Sequence, residues 1–184
     1  MDGRELIARY RGGERDFSGV DLTGANLRAN DLRGANLEQA NLSNACLRGT
    51  NLRAVNLSGA RLNGADMSGS DPVEADLSNA TMVGTNLTGA NLNEANLEQA
   101  FLFQAKLARA SLVRANLTNA DLSAADLRKA DLQYANLTGA ILFQADLREA
   151  DLHHVQITRE QLSEVRSLTG ARLPDGRLSE EELL

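Results

Sequence analysis

The sequence has no tryptophan, two tyrosines and four phenylalanines among its 184 residues. Aromatic side chains carry much of the buried area in ordinary globular cores, so a core of that kind is excluded. The apolar residues, 42% of the chain, must build something narrower from leucine and alanine. A single cysteine, Cys46, excludes an internal disulfide framework and fits a reducing compartment. The leading segment MDGRELIARYRGGERDF has no long apolar run, so neither a secretory signal nor a membrane span is expected. The expected location is cytoplasmic. An excess of positive charge is missing as well. Nineteen basic residues stand against 25 acidic ones, for a net charge of −6. Direct nucleic-acid binding needs clustered positive charge, and this balance argues against it.

What the sequence does have is a repeat. Taking leucine as the centre i of a unit, centres fall at every position ending in 2 or 7 from Phe17 to Ile157. That makes twenty-nine consecutive units without an insertion. Only Phe17, Met67, Pro72, Met82 and Ile157 replace leucine. Position i−2 is mostly alanine, position i−1 is usually Asp or Asn, and the last two positions are polar or glycine. A helix advances about 100° per residue, so a period of five would scatter the leucines around it. A continuous strand would send successive leucines to opposite faces. Alanine and leucine two apart can share a face on a short extended side, and Gly, Asn and Ser then supply a corner. Each unit is one side plus one turn, with Ala and Leu inside and three positions outside.

The motif Ala–Asp/Asn–Leu–x–x, as in Ala25–Asn26–Leu27, Ala75–Asp76–Leu77 and Ala145–Asp146–Leu147, resembles the pentapeptide-repeat family. The match spans roughly four fifths of the chain. The resemblance implies an all-β solenoid, a right-handed quadrilateral parallel β-helix with twenty residues per coil. Twenty-nine units then make about seven coils, a rod of roughly 34 Å at about 4.8 Å per coil. The leading segment ARYRGGERDFSGVDL also looks like that of cyanobacterial members.

Open solenoid ends need caps. Residues 1–14 are expected to form an N-terminal helical cap, with Leu6, Ile7 and Tyr10 at helical spacing and Gly12–Gly13 ending it. The β-helix is expected over 15–158, and a helix and capping segment over 159–184. Thr158 and Gln161 match a capping box, and the helix is expected to run from Arg159 to about Ser167 with Leu162 and Val165 inward. Leu168 and Leu173 resume the five-residue spacing shifted by one, Pro174–Asp175–Gly176 makes a turn, and Leu178 to Leu184 is expected to fray.

Residues twenty apart should stack, which turns the sequence into a surface map. One face carries Val83, Phe101, Phe103, Ile141 and Phe143 outward, interrupted by Asp121 and Ser123. Such a patch is a candidate interaction face; stacking on neighbouring coils is the structural alternative. Arg28, Arg48, Arg128 and Arg148 share a column, with Asp126 and Asp146 placed to pair with the last two. Asn36, Asn56, Asp76, Asn96, Asn116 and Asn136 form a ladder in which Asn can both donate and accept. Pro72 removes a backbone donor, and Asn30, Thr50 and Ser70 on its face put polar groups inside. A short hydrogen-bonded polar column, and the least stable stretch of the rod, are expected there.

No catalytic, cofactor or metal site is expected. His153 and His154 are adjacent and lack partners at ligand spacing. Cys46 has no histidine near it. The expected function is a non-enzymatic structural or interaction protein that binds a protein partner, or a second copy, through a side face. The resemblance implies one alternative. Some pentapeptide-repeat proteins mimic B-form DNA, bind DNA gyrase and protect it from quinolones. That role needs a continuously acidic surface, and the Arg columns and Leu centres count against it.

Overall fold

The structure, a computed structural model, describes residues 1–179. Between Asp16 and Gln156, parallel bridges join residues twenty apart, as in Asp16↔Asn36, Asn36↔Asn56 and Asn136↔Gln156. Each side of the coil holds one bridge residue rather than a continuous strand, and four sides complete one circuit. Apart from Pro72, every centre amide from Phe17 to Leu137 reaches the next coil, as Leu37 N donates to Asn56 O at 2.7 Å. The i−1 amide reaches back one coil, as Asn56 N donates to Ala35 O at 3.0 Å. Both backbone groups of the short side are thereby satisfied, which buried peptide groups require.

The corners are β-turns. The amide after the turn donates to the centre carbonyl, as Ala25 N does to Leu22 O at 2.9 Å. Position i+2 has positive φ at every corner from Gly19 to His154, the geometry of a type II turn. Ten of these corners are glycine, but eighteen are not, and those sit at φ of 53–62°. A left-handed L-residue costs roughly 1–2 kcal/mol. The corner amide helps to offset it, as Gln39 N donates to Ser58 O at 2.9 Å. No β-branched residue occupies any of these corners, because its branched Cβ fits that conformation worst.

Inside, Leu and Ala from all four sides fuse into one core in which nearly every centre is fully buried. The polar groups in the wall are bonded, but they form no column. Thr50 Oγ1 donates to Leu27 O at 2.8 Å and Ser70 Oγ to Met67 O at 2.7 Å. Half-buried Asn30 Nδ2 donates to Leu27 O at 3.2 Å and Arg28 O at 3.1 Å. Each thus turns to a backbone carbonyl within reach rather than to its neighbour a coil away. Thr85, one face over, does the same with Leu62 O at 2.7 Å. At Pro72 the ladder loses one bond, and Asp71 and Asn91 form no bridge. The next donor, Glu74 N, resumes the ladder to Asn93 O at 3.0 Å, and the corner keeps the geometry of its neighbours. The irregularity extends to the neighbouring side chains: buried Asp71 Oδ1 has no hydrogen-bond partner among the described residues, and Val73, at an otherwise outward position, is buried.

Helix α1, Gly3–Arg11, covers the first coil. Asp2 caps it by accepting from Glu5 N at 2.8 Å. Leu6 is fully buried, and Tyr10 Oη donates to Arg33 O at 2.8 Å. Gly3 lies so close to the coil that a Cβ there would sit 2.5 Å from Asn26 O.

Helix α2, Arg159–Ser163, is shorter than the sequence suggests. The capping box forms as expected, and Gln161 Nε2 also donates to Leu137 O and Ala140 O, both at 2.7 Å. Beyond Ser163 the chain rejoins the ladder, with Arg166 N donating to Ala145 O at 2.8 Å and Ser167 pairing with Asp146. Those ladder bonds replace the last helical turn, and Val165 is buried from outside the helix. Pairing then runs at a spacing of twenty-one, Asp146↔Ser167 and Asp151↔Arg172, the shift seen in the sequence at Leu168. Leu178 and Ser179 do not fray: Leu178 pairs antiparallel with Arg172, and Ser179 N donates to Ala171 O at 2.8 Å. The rest of that expected frayed tail, 180–184, lies outside the described residues.

Candidate interaction faces

Every unit places i−1, i+1 and i+2 outside, so each face is a stack of these positions. On most of the surface i−1 has a structural task. Its Asp or Asn oxygen accepts the i+1 amide, as Ser18 N donates to Asp16 Oδ1 at 3.1 Å and Glu98 N to Asn96 Oδ1 at 3.2 Å. Asn side chains also join coils. Asn56 Nδ2 donates to Asn36 Oδ1 at 3.1 Å, Asn96 to Asp76 at 3.2 Å and Asn116 to Asn96 at 3.0 Å. The ladder breaks above Asn56 because the Asp76 side chain, unlike Asn, brings no amide donor, and Asn136 turns to Thr118 Oγ1 at 3.0 Å instead.

One face replaces it in part with exposed apolar residues. Its i−1 column reads Asp21, Asn41, Arg61, Thr81, Phe101, Asp121, Ile141. Phe101 and Ile141 stand where an Asx oxygen would accept the following turn amide, and the amides of Phe103 and Phe143 have no protein acceptor among the described residues. Val83 N is rescued by Asn63 Oδ1 of the previous coil at 2.9 Å. The five side chains are open to solvent: Phe101 is 53% exposed and Phe143 58%, with Val83, Phe103 and Ile141 between 40% and 48%. No ring contact joins the three phenylalanines among the described residues.

The adjacent face, one corner further along the chain, is cationic at its C-terminal end. Arg128 is clamped by Asp126 through Nε and Nη2, both at 2.7 Å. Asp146 holds Arg148 the same way, at 2.8 and 2.6 Å. These guanidinium hydrogen bonds hold the Asp126 and Asp146 carboxyls below their ordinary range, against the opposing effect of partial burial.

A feature absent from the sequence reading stands at another corner. Arg114, Tyr134 and His154 stack twenty residues apart. The Arg114 guanidinium lies 5.9 Å from the Tyr134 ring, and Tyr134 and His154 stack at 4.9 Å. His153 tilts against His154 at 3.7 Å. Desolvation, helped by the positive charge of Arg172, pushes His153 below its ordinary pKa. The twenty-residue register would have revealed this stack. Cys46 occupies a half-buried i−1 site, bridged to Asn26 and Asp66. Among the described residues, no group of three His, Cys, Asp or Glu side chains is placed to hold a metal. No helix among them is long and apolar enough to cross a membrane.

The geometry defines a class: a solenoid of five-residue units with a Leu/Ala core and a four-sided coil. The profile of the family described as Pentapeptide repeats matches residues 16–49, 35–71, 73–107, 105–142 and 125–159. The chain belongs to the pentapeptide-repeat family. No curated protein matches it. Among solved structures it is similar to HetL, a pentapeptide repeat protein involved in heterocyst differentiation regulation in the cyanobacterium Nostoc sp. strain PCC 7120, with 30% identity, 97% of this chain and 100% of that one covered, and a TM-score of 0.37. A pentapeptide repeat protein of the Arabidopsis thaliana thylakoid lumen shares 25% identity over 82% and 85% of the two chains, with a TM-score of 0.45. QnrB1, a plasmid-mediated fluoroquinolone resistance protein, shares 19% over 87% and 80%, with a TM-score of 0.48.

Proposed function

We propose that this chain is a non-enzymatic binding scaffold whose partner is a protein that docks on the face of Val83, Phe101, Phe103, Ile141 and Phe143. One observation carries the reading. At Phe101 and Ile141, as at Cys46, Arg61 and Lys106, i−1 lacks the side-chain oxygen that caps turn amides in most units, and only Phe101 and Ile141 put large exposed apolar side chains in its place. Neither change stabilises the isolated chain, and apolar patches of this kind mark contact surfaces. We read the rod as right-handed, with about seven coils, from the twenty-residue register and the family's known course. The cytoplasm is its expected compartment, from the single cysteine.

The gyrase-binding alternative has no observation of its own here, since clamped arginines interrupt the acidic surface. The test is affinity capture from the source cell with wild type and with Phe101→Ser/Phe103→Ser/Phe143→Ser, alongside the mass in solution. A partner, or a second copy, held by wild type and lost by the variant supports the face. Identical capture lists and a monomer in both cases would sink it.

A further inference from the structure

We propose that the edge beside this face holds a binding site for a phosphate monoester dianion. The position carrying Arg128 and Arg148 holds only Thr88 and Ala108 on the two preceding coils. Those small residues leave a depression of about 360 Å³. Arg128 and Arg148 form one wall; Arg109, Lys129 and Glu149 line the corner. Four cations thus gather here against Glu149 and the two clamping carboxylates Asp126 and Asp146, which leaves a surplus of one positive charge, that of Arg109.

The cations are arranged rather than merely close. Asp126 and Asp146 hold Nε and Nη2 of their arginines, so each guanidinium is fixed in direction. Nη1 of both arginines has no protein hydrogen-bond acceptor among the described residues. Lys129 is paired with Glu149 at 3.2 Å, whereas Arg109 has no ion-pair partner among the described residues. Stacked like charges repel, and the fold gains nothing from placing Arg109 next to Lys129. Oriented guanidiniums with unused Nη1 donors, beside the unpaired Arg109, suit the several acceptors of a phosphate. The depression is open enough to admit either a small phosphorylated molecule or a phosphorylated side chain.

The site stands apart from the partner reading, and the test separates them. The full chain is titrated with inorganic phosphate, and with chloride at matched ionic strength, while the arginine Nε–Hε resonances are followed by NMR. The expected result is a saturable shift of Arg128 and Arg148 with phosphate and none with chloride. Arg109→Ala should weaken binding about tenfold, the scale of one charge-assisted hydrogen bond. Arg28→Ala, in the same column but far from the depression, should leave it unchanged. A phosphoserine peptide is the second arm. Tighter binding than inorganic phosphate assigns the site to a modified protein, and equal binding assigns it to a free phosphate compound. Shifts that never saturate, that chloride reproduces, or that survive Arg109→Ala overturn the proposal.

Discussion

The face bearing Asn36, Asn56, Asp76, Asn96 and Asn116 and the face bearing Thr81, Phe101, Asp121 and Ile141 are built on the same backbone. They hang from the same ladder and cover the same Leu/Ala core. The first uses its i−1 positions to bond turns and coils together. The second leaves the Phe103 and Phe143 amides to solvent and shows rings instead. In a fold this repetitive, the comparison between faces separates what the solenoid requires from what it carries for another purpose.

The core beneath should not distinguish the two faces. Leu97→Ala and Leu102→Ala, one under each, should both cost about 2–5 kcal/mol in urea unfolding. A large difference between them would mean that the faces differ below the surface as well as on it. The corners come next. Gln104→Val, at φ 56° between the apolar and cationic faces, should destabilise by roughly 1–3 kcal/mol, whereas Gln104→Gly should be nearly neutral.

The sharpest contrast lies at i−1. Asn96→Leu removes bonds to Asp76, Asn116 and the Glu98 amide and should cost about 1–2 kcal/mol. Phe101→Asn should do the reverse, raising stability by up to about 1 kcal/mol through a restored turn bond, while abolishing partner capture. A Phe101→Asn protein less stable than wild type would show that the ring serves the fold. Pro72→Leu should add about 0.5–1.5 kcal/mol by restoring the missing ladder donor.

The smallest effect is electrostatic. Asp126 and Asp146 titrate below their ordinary value because of their arginines. Their contribution is therefore complete above the unfolded carboxyl value, near pH 4, and is lost as pH falls through the lower folded value. Arg148→Gln should make the acid-side decline in melting temperature shallower.

Much of this was legible before any coordinates. Leucines five apart with alanines two before them required a side and a corner, and the twenty-residue stacking placed Phe101, Phe103 and Phe143 on one face. The corner conformation was present too, as the lack of Val, Ile and Thr at i+2, although Gly, Asn and Ser alone mark the corners in the sequence reading. What escaped depends on competition between distant groups. Thr50 and Ser70 chose backbone carbonyls over each other because the coil aims those carbonyls at them. Helix α2 stops early because Ala145 O, distant in sequence, offers Arg166 a ladder bond. The Asp–Arg pairs at Arg128 and Arg148 were legible from the column; the depression beside them was not, because it depends on where the small Thr88 and Ala108 leave space between the long side chains.

The change of spacing from twenty to twenty-one at Ser167 works like a dislocation in a crystal. Anywhere inside the rod, one extra residue would have to be looped out for the later units to keep their places. At the last coil it leaves a terrace whose step is out of phase with the coils below, and the Leu178 strand already occupies its edge. Another stack of coils arriving there would not find a matching register. The slip thus gives the rod a definite length in a sequence whose repeat could otherwise continue without limit.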